Sequence, residues 1–406
     1  MPLRKPRARS KGRAESAPTP SADGHKAGGR VPRGGIALTP DQERAQEAIF
    51  GWLRAKGKQV LTLGGFAGTG KTTVIAETIN RLEDRPSIGF CCFTGKAADV
   101  LRSKIVAADA LQGGDYVGTI HGLIYELDED AGKKTLRWRK RERIRPDLLV
   151  VDEASMVSND IWNDLCSFGV PILAVGDHGQ LPPVGDRYNL MENPDVRLEI
   201  IHRQAQASPI VRLSMMARLE GTIPVGDYGP GVLKTRDAAD APWRMPLGKT
   251  MFLCGRNRTR IALNAEIRRR LDIESVEPVV GDRVICLRNS RKHKVFNGML
   301  GSVESLSPAG EQCWSAEIAM DSDIRFGGNI LRAQFGLDRT LDFEEAQGGC
   351  LFDWGYALTV HKAQGSEAPH VVLFEERFSQ MTDDEWRRWL YTGVTRASRD
   401  LVIIGA

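Results

Sequence analysis

Residues 60–79 constrain this chain more than any other stretch. They read as an apolar run (Val60-Leu61-Thr62-Leu63), a glycine-rich segment (Gly64-Gly65-Phe66-Ala67-Gly68-Thr69-Gly70-Lys71-Thr72-Thr73) and a helix-compatible run from Val74 to Ile79. Gly65, Gly70, Lys71 and Thr72 fit the spacing G-x-x-x-x-G-K-[ST], in the strand-before, helix-after context that this motif requires. Glycines let the backbone curl until successive N–H groups face one centre, and the helix start adds partial positive charge. The loop Gly65, Ala67, Gly68, Thr69, Gly70, Lys71, Thr72 and Thr73 is therefore expected to cradle phosphates. Lys71 would reach the β- and γ-phosphates, and Thr72 would hold Mg²⁺.

Three further apolar runs end in polar residues: Ser87–Phe93 before Thr94, Leu148–Val151 before Asp152-Glu153, and Pro171–Val175 before Gly176-Asp177. Short continuous apolar runs are the signature of buried parallel strands. Strands alternating with helices, each with polar residues at its C-terminal end, give an open α/β sheet with a site along that edge. On that edge Asp152 would hold Mg²⁺ through water, and Glu153 would face an attacking water as general base. Ahead of the first strand, Thr39-Pro40 starts a helix with Ala45, Ala48, Ile49, Trp52 and Leu53 on one face.

With 406 residues the chain is expected to form two or three domains. Its 41% hydrophobic and 27% charged residues are those of a soluble globular protein. No apolar run approaches the roughly 18 residues of a membrane span, so no membrane association is expected. Cys91, Cys92, Cys166, Cys254, Cys286, Cys313 and Cys350 include no C-x-x-C pair, which points to inert thiols in a reducing compartment. Residues 1–34 alone carry a balance of +7 against +4 for the whole chain, leaving −3 for the remainder. Any polyanion contact in the folded body must come from local patches. Residues 1–35 form a basic segment too poor in apolar residues to fold, read either as a plain disordered tail or as an electrostatic arm.

Taken in order, these segments resemble a superfamily 1 DNA helicase, most closely the RecD-like and Dda-like 5′→3′ branch, from about residue 38 to the end. The resemblance makes Gln42 in "LTPDQERA" the adenine-recognising glutamine and the loop at 65–73 the ATP site. "FTGKAADVL" (93–101) and "GTIHGL" (118–123) correspond to DNA-contact motifs, giving Phe93, Thr94, Thr119 and His121, with Phe93 standing where relatives often have proline. "VDEAS" (151–155) supplies Asp152 and Glu153, and "GDHGQLPPVG" (176–185) supplies Gln180, between γ-phosphate and DNA. "IHRQ" (201–204) and "YTGVTRAS" (391–398) supply Arg203 and Arg396. "LTVHKAQGSE" (358–367) places Thr359, His361 and Lys362 toward DNA and Glu367 toward the ribose. Two arginines so far along the chain from Lys71 can stabilise the transferring phosphoryl group only if a second lobe closes over the nucleotide. Hydrolysis would then become motion.

The resemblance implies two RecA-like lobes, 36–185 and 186–406. Residues 124–145 read as a β-hairpin inserted in the first lobe. In relatives such a hairpin is a duplex-splitting pin; here Trp138 would stack on a base, unless the hairpin is simply solvated. Residues 281–350 resemble an SH3-like insertion in the second lobe, with Asn297-Gly298 as a tight turn. Its patch of Arg288, Arg291, Lys292, His293, Lys294 and Phe296 is either a DNA clamp or ordinary surface charge. The expected function is an ATP- and Mg²⁺-dependent, cytoplasmic (or phage-encoded) DNA helicase in replication, recombination or repair. It would act on single strands and forked duplexes, with single-strand-binding or replication and recombination proteins as partners. The competing reading is a translocase that displaces bound proteins without unwinding.

Overall fold

The computed structural model describes residues 37–128, 137–182, 189–201, 207–240, 249–290, 292–293, 295–321 and 324–405. The basic N-terminal segment and Arg203 lie outside the described residues, as do the tip of the 124–145 insertion and the Trp138 side chain. From Ala37 onward the chain forms one unit.

The first sheet holds six parallel strands in the order Tyr116–Thr119, Ile88–Cys92, Leu148–Val151, Ile172–Gly176, Val60–Gly65 and Val196–Leu198. Successive strand residues point to opposite faces, and both faces are covered. Phe90, Cys92 and Val150 pack with Ile49, Val74, Ile75 and Leu101 of the helices Pro40–Ala55, Lys71–Asn80 and Gly95–Ala107. Cys91, Leu149 and Val151 pack on the other side with Leu123, Trp162 and Leu165. Burial on both faces is why these strands read as unbroken apolar runs.

The edge strand Val196–Leu198 corrects the expected lobe boundary at 185/186. It pairs in parallel with Leu63–Gly65, and Asp195 just before it accepts from the Thr62 N–H (2.9 Å) and hydroxyl (2.8 Å). Three residues are too few to show any periodicity, so only this long-range pairing reveals that the first lobe extends past 186.

The second sheet runs Ala357–Thr359, Thr250–Cys254, Ala368–Phe374, Ala397–Ile404, Val232–Thr235 and Gly226–Gly229, parallel except for the last pair. The helices Pro209–Glu220 and Asp383–Val394 join its core through Leu213, Ala217, Trp389 and Leu390. A third, antiparallel sheet of five strands spans Arg283–Cys286 to Phe352–Trp354 around Val284, Val303, Ile318, Phe326 and Phe352. It thus runs four residues beyond the expected end at 350. Buried Arg268 forks onto Asp282, with both contacts at 3.0 Å, and Arg260 reaches Asp353 at 2.6 Å. These pairs tie the third sheet to the helix Asn257–Arg270 that covers the second. Within 124–145, Tyr125–Asp128 pairs antiparallel with Arg137–Lys140, while Ile124 belongs to the short helix Ile120–Ile124.

Candidate nucleotide site and nucleic-acid cleft

The strand Val60–Gly65 ends in a loop that turns through Gly68 (φ 81°) and Gly70 (φ 77°), a left-handed conformation strained for any residue with a Cβ. A Cβ at Gly65 would lie 2.6 Å from Thr69 Oγ1. Lys71 Nζ donates to the carbonyls of Gly65 (2.7 Å) and Phe66 (3.1 Å), folding the ammonium back over the loop. Thr72 and Thr73 stand in the first turn of the helix that follows. Gln42 is fully buried against this loop: its Nε2 donates to Thr69 O (2.9 Å) and its Oε1 accepts from the Thr39 N–H (3.0 Å).

At the tip of Leu148–Val151, Asp152 accepts from the Glu153 N–H (2.9 Å). Glu153 itself is held at φ 52°, an uncommon conformation for a non-glycine residue and one that clusters at functional sites. Its Oε2 is buried with no partner. Burial and then the Asp152 carboxylate push its pKa up, while the charges of Arg396 and Lys71 pull it down. Four of the sequence-predicted catalytic groups are therefore electrostatic neighbours. A carboxylate whose oxygen lacks a protein donor is suited to orienting water.

Thr72 and Asp152 fit a hard cation with oxygen ligands. Among the described residues there is no cluster of three or more His, Cys, Asp or Glu that would hold a metal. Mg²⁺ is ordinarily bound by one or two protein groups together with substrate phosphates, whose charge it offsets.

The second lobe closes the opposite wall. Arg396 is buried and donates to Thr392 O (3.0 Å), Ser366 O (3.0 Å) and Thr395 Oγ1 (3.1 Å). The segment Asp177–Leu181 is gripped across the lobe boundary. Arg388 donates to the carbonyls of His178 (2.7 Å) and Gln180 (3.1 Å), and Gln364 donates to Leu181 O (2.9 Å). Gln180 is buried, its Nε2 on Asp177 (3.3 Å) and its Oε1 without a partner. Glu367 is exposed.

A cavity of about 560 Å³ lies between the sheets. The first lobe contributes Phe93, Thr94, Lys96, Thr119 and His121 to its lining. Opposite them stand His361, Lys362 and Gln364 of the second lobe and Phe296 and Asn297 from the connection between the strands Arg283–Cys286 and Leu300–Ala309 of the third sheet. Thr94 and Thr119 accept from the N–H groups of Ala97 (3.2 Å) and Gly122 (3.1 Å), so each caps a helix and keeps its O–H as a donor. The Phe296 ring sits so close to Gly95 that a Cβ there would be 2.9 Å away. Lys362 Nζ donates to Asn297 Oδ1. Burial lowers the pKa of Lys96, His361 and Lys362. Thr359 lines a smaller adjoining cavity of about 260 Å³ with Lys362. Of the basic patch expected on 281–350, Arg288 is spent on Leu341 O (2.6 Å), and Arg291 and Lys294 lie outside the described residues.

Residues 46–186 match the model of an AAA domain, and residues 355–404 match a UvrD-like helicase C-terminal domain. The ATP-dependent RecD2 DNA helicase of Deinococcus radiodurans is 30% identical over 387 residues, covering 84% of this chain and 46% of that protein. The UvrD-like domain and the RecD2 relative are thus helicase sequences to which this chain is similar.

The chain spans less than half of the RecD2 protein. It covers 73% of the RecBCD enzyme subunit RecD of Mycolicibacterium smegmatis, with 27% identity over 432 positions and 90% of the chain matched. A crystal structure of Bacteroides Pif1 bound to ssDNA shares the fold at a TM-score of 0.54 and 18% identity, covering 91% of this chain and 92% of that one. Sequence reasoning missed Lys96, Gln364 and Tyr391. Lys96 follows a strand tip by a few residues, a position that flags a cation at a sheet edge. Gln364 and Tyr391 carry no such local signal, because their partners lie 183 and 324 residues away.

Proposed function

We propose that the chain is an ATP-dependent DNA helicase that moves 5′→3′ along a single strand and separates the duplex ahead of it, in replication, recombination or repair. The observation that carries this reading is the cleft of about 560 Å³. Strand-tip residues of both parallel sheets line it, in the body that also holds the phosphate loop, so a change of angle between the lobes alters strand and nucleotide together. Hydrolysis then becomes stepping, because the two lobe arrangements differ in affinity for nucleotide and for DNA. Phe93, His121 and Phe296 supply faces on which bases stack, and Lys96 and Lys362 supply phosphate contacts. The third sheet acts as an SH3-like roof moving with the second lobe. The hairpin 124–145 acts as the pin at a fork, with Trp138 on the parting base pair. Gln42 reads adenine, Glu367 meets the ribose, and Arg203 joins Arg396 on the γ-phosphate. The seven free thiols support a reducing, cytoplasmic site of action beside single-strand-binding and recombination proteins.

The test compares duplexes carrying a 5′ or a 3′ single-stranded overhang, with phosphate release followed in parallel. Unwinding confined to the 5′ overhang supports the reading. Single-strand-stimulated ATPase without unwinding of either would make the chain a translocase that clears bound proteins, and unwinding from the 3′ overhang alone would reverse the polarity.

A further inference from the structure

Tyr391 has no part in the steps above, yet its hydroxyl joins the phosphate loop to the second lobe. It stands on the helix Asp383–Val394, whose Trp389, Leu390 and Val394 are buried in the second lobe's core. Its side chain is fully buried. The O–H donates to Asp177 Oδ2 (2.6 Å), and the same oxygen accepts from the Ala67 N–H (2.8 Å). The Phe66 ring meets the Tyr391 ring edge-on at 5.9 Å. Burial and the neighbouring carboxylate push the hydroxyl's pKa well above its usual range, so it keeps its proton. One helix thereby holds the phosphate loop directly. Through Arg388, Tyr391 and Thr392, whose Oγ1 accepts from the Leu181 N–H (3.1 Å), it also holds the segment Asp177–Leu181.

The proton count makes this contact conditional. Tyr391 has one proton and spends it on Asp177; Ala67 has one N–H and spends it on Tyr391. In a phosphate cradle the loop N–H groups turn toward phosphate oxygens, and one N–H makes one strong bond at a time. Phosphate and tyrosine want the same donor.

We propose that Tyr391 is a positioning residue that competes with the nucleotide for the Ala67 N–H, so that phosphate binding unties the loop from the second lobe's helix and leaves Tyr391 on Asp177. The inference rests on the reading of the loop at 65–73 as the nucleotide site. It gives that site a mechanical output: the loop's occupancy decides whether the two lobes share this bond.

The experiment measures binding of N-methylanthraniloyl-ADP to the full chain by fluorescence, without DNA, for wild type, Tyr391→Phe and Gly179→Ala. Tyr391→Phe keeps the ring and removes the competing oxygen. It should bind the nucleotide at least threefold more tightly, while DNA-stimulated kcat falls because Asp177 and Gln180 lose their anchor. A residue needed only for stability would lower the melting temperature without tightening nucleotide binding. Gly179→Ala keeps the hydroxyl but puts a methyl 2.9 Å from the Phe66 ring and 3.0 Å from the Tyr391 ring, so it should shift affinity in the same direction even if the phenylalanine variant fails to fold. Affinity equal to or weaker than wild type in the folded variants overturns the competition alone. Failure of wild type itself to bind overturns both the competition and the nucleotide site.

Discussion

Removing the guanidinium of Arg396 separates its chemistry from its structural contribution. A positioned arginine stabilises a transferring phosphoryl group by three to five decades, or about 4–7 kcal/mol of barrier. The side chain also satisfies the buried carbonyls of Ser366 and Thr392, and an unpaired buried acceptor costs about 1–3 kcal/mol of stability. Arg396→Ala should therefore slow single-strand-stimulated phosphate release by at least a thousandfold and also lower the melting temperature. Nucleotide affinity should change far less, since Lys71 and the loop remain. Arg396→Lys keeps the charge but loses the planar fork, so its turnover should fall between the two. The assay is phosphate release under saturating ATP and DNA, at a temperature where melting curves show every variant folded. Turnover of Arg396→Ala within tenfold of wild type, or a loss wholly in KM, would refute the assignment.

Lys71→Ala should abolish hydrolysis while leaving single-strand binding measurable by fluorescence anisotropy; residual turnover above a few per cent would move the phosphate site elsewhere. Because burial and Asp152 raise the Glu153 pKa and a general base must be ionised, kcat should climb with pH through a value above the ordinary carboxylate range of about 4.3. Glu153→Gln should remove that limb and slow turnover by about 10²–10⁴. Single-strand affinity should fall as salt rises, and Lys362→Ala should reduce the slope of log K against log salt by about 0.7, the loss of one phosphate contact; an unchanged slope places Lys362 off the strand's path. Asp282→Ala strands the buried Arg268 guanidinium and should cost about 3–5 kcal/mol in chemical denaturation.

The local chemistry of this protein was written in short spacings. The phosphate loop, Asp152 and Glu153 after an apolar run, and the Thr39-Pro40 helix start each depend on neighbours within a few residues, because backbone sterics and helix capping act at that range. The alternation of buried strands with helices followed for the same reason, and with it the α/β class. The DNA-contact candidates Phe93, Thr94, Thr119, His121, His361 and Lys362 came from the resemblance of whole motifs and not from any spacing, and the fold brings these residues to one cavity.

Folding decided what those spacings leave open. The strand Val196–Leu198 is too short to announce itself, and the first sheet claims it only because Val60–Gly65 offers an open edge and Asp195 finds Thr62. Phe296 looked like one member of a basic patch, yet packing against Gly95 makes it part of the cleft while Arg288 turns away to a carbonyl. In the sequence Tyr391 is only the first residue of "YTGVTRAS". Its hydroxyl gains meaning from Ala67, 324 residues earlier, and from Asp177. Residue order fixes which groups exist and how each is held locally. Which of them share a proton is settled only when burial removes water as the alternative partner and each polar atom must find another within the fold.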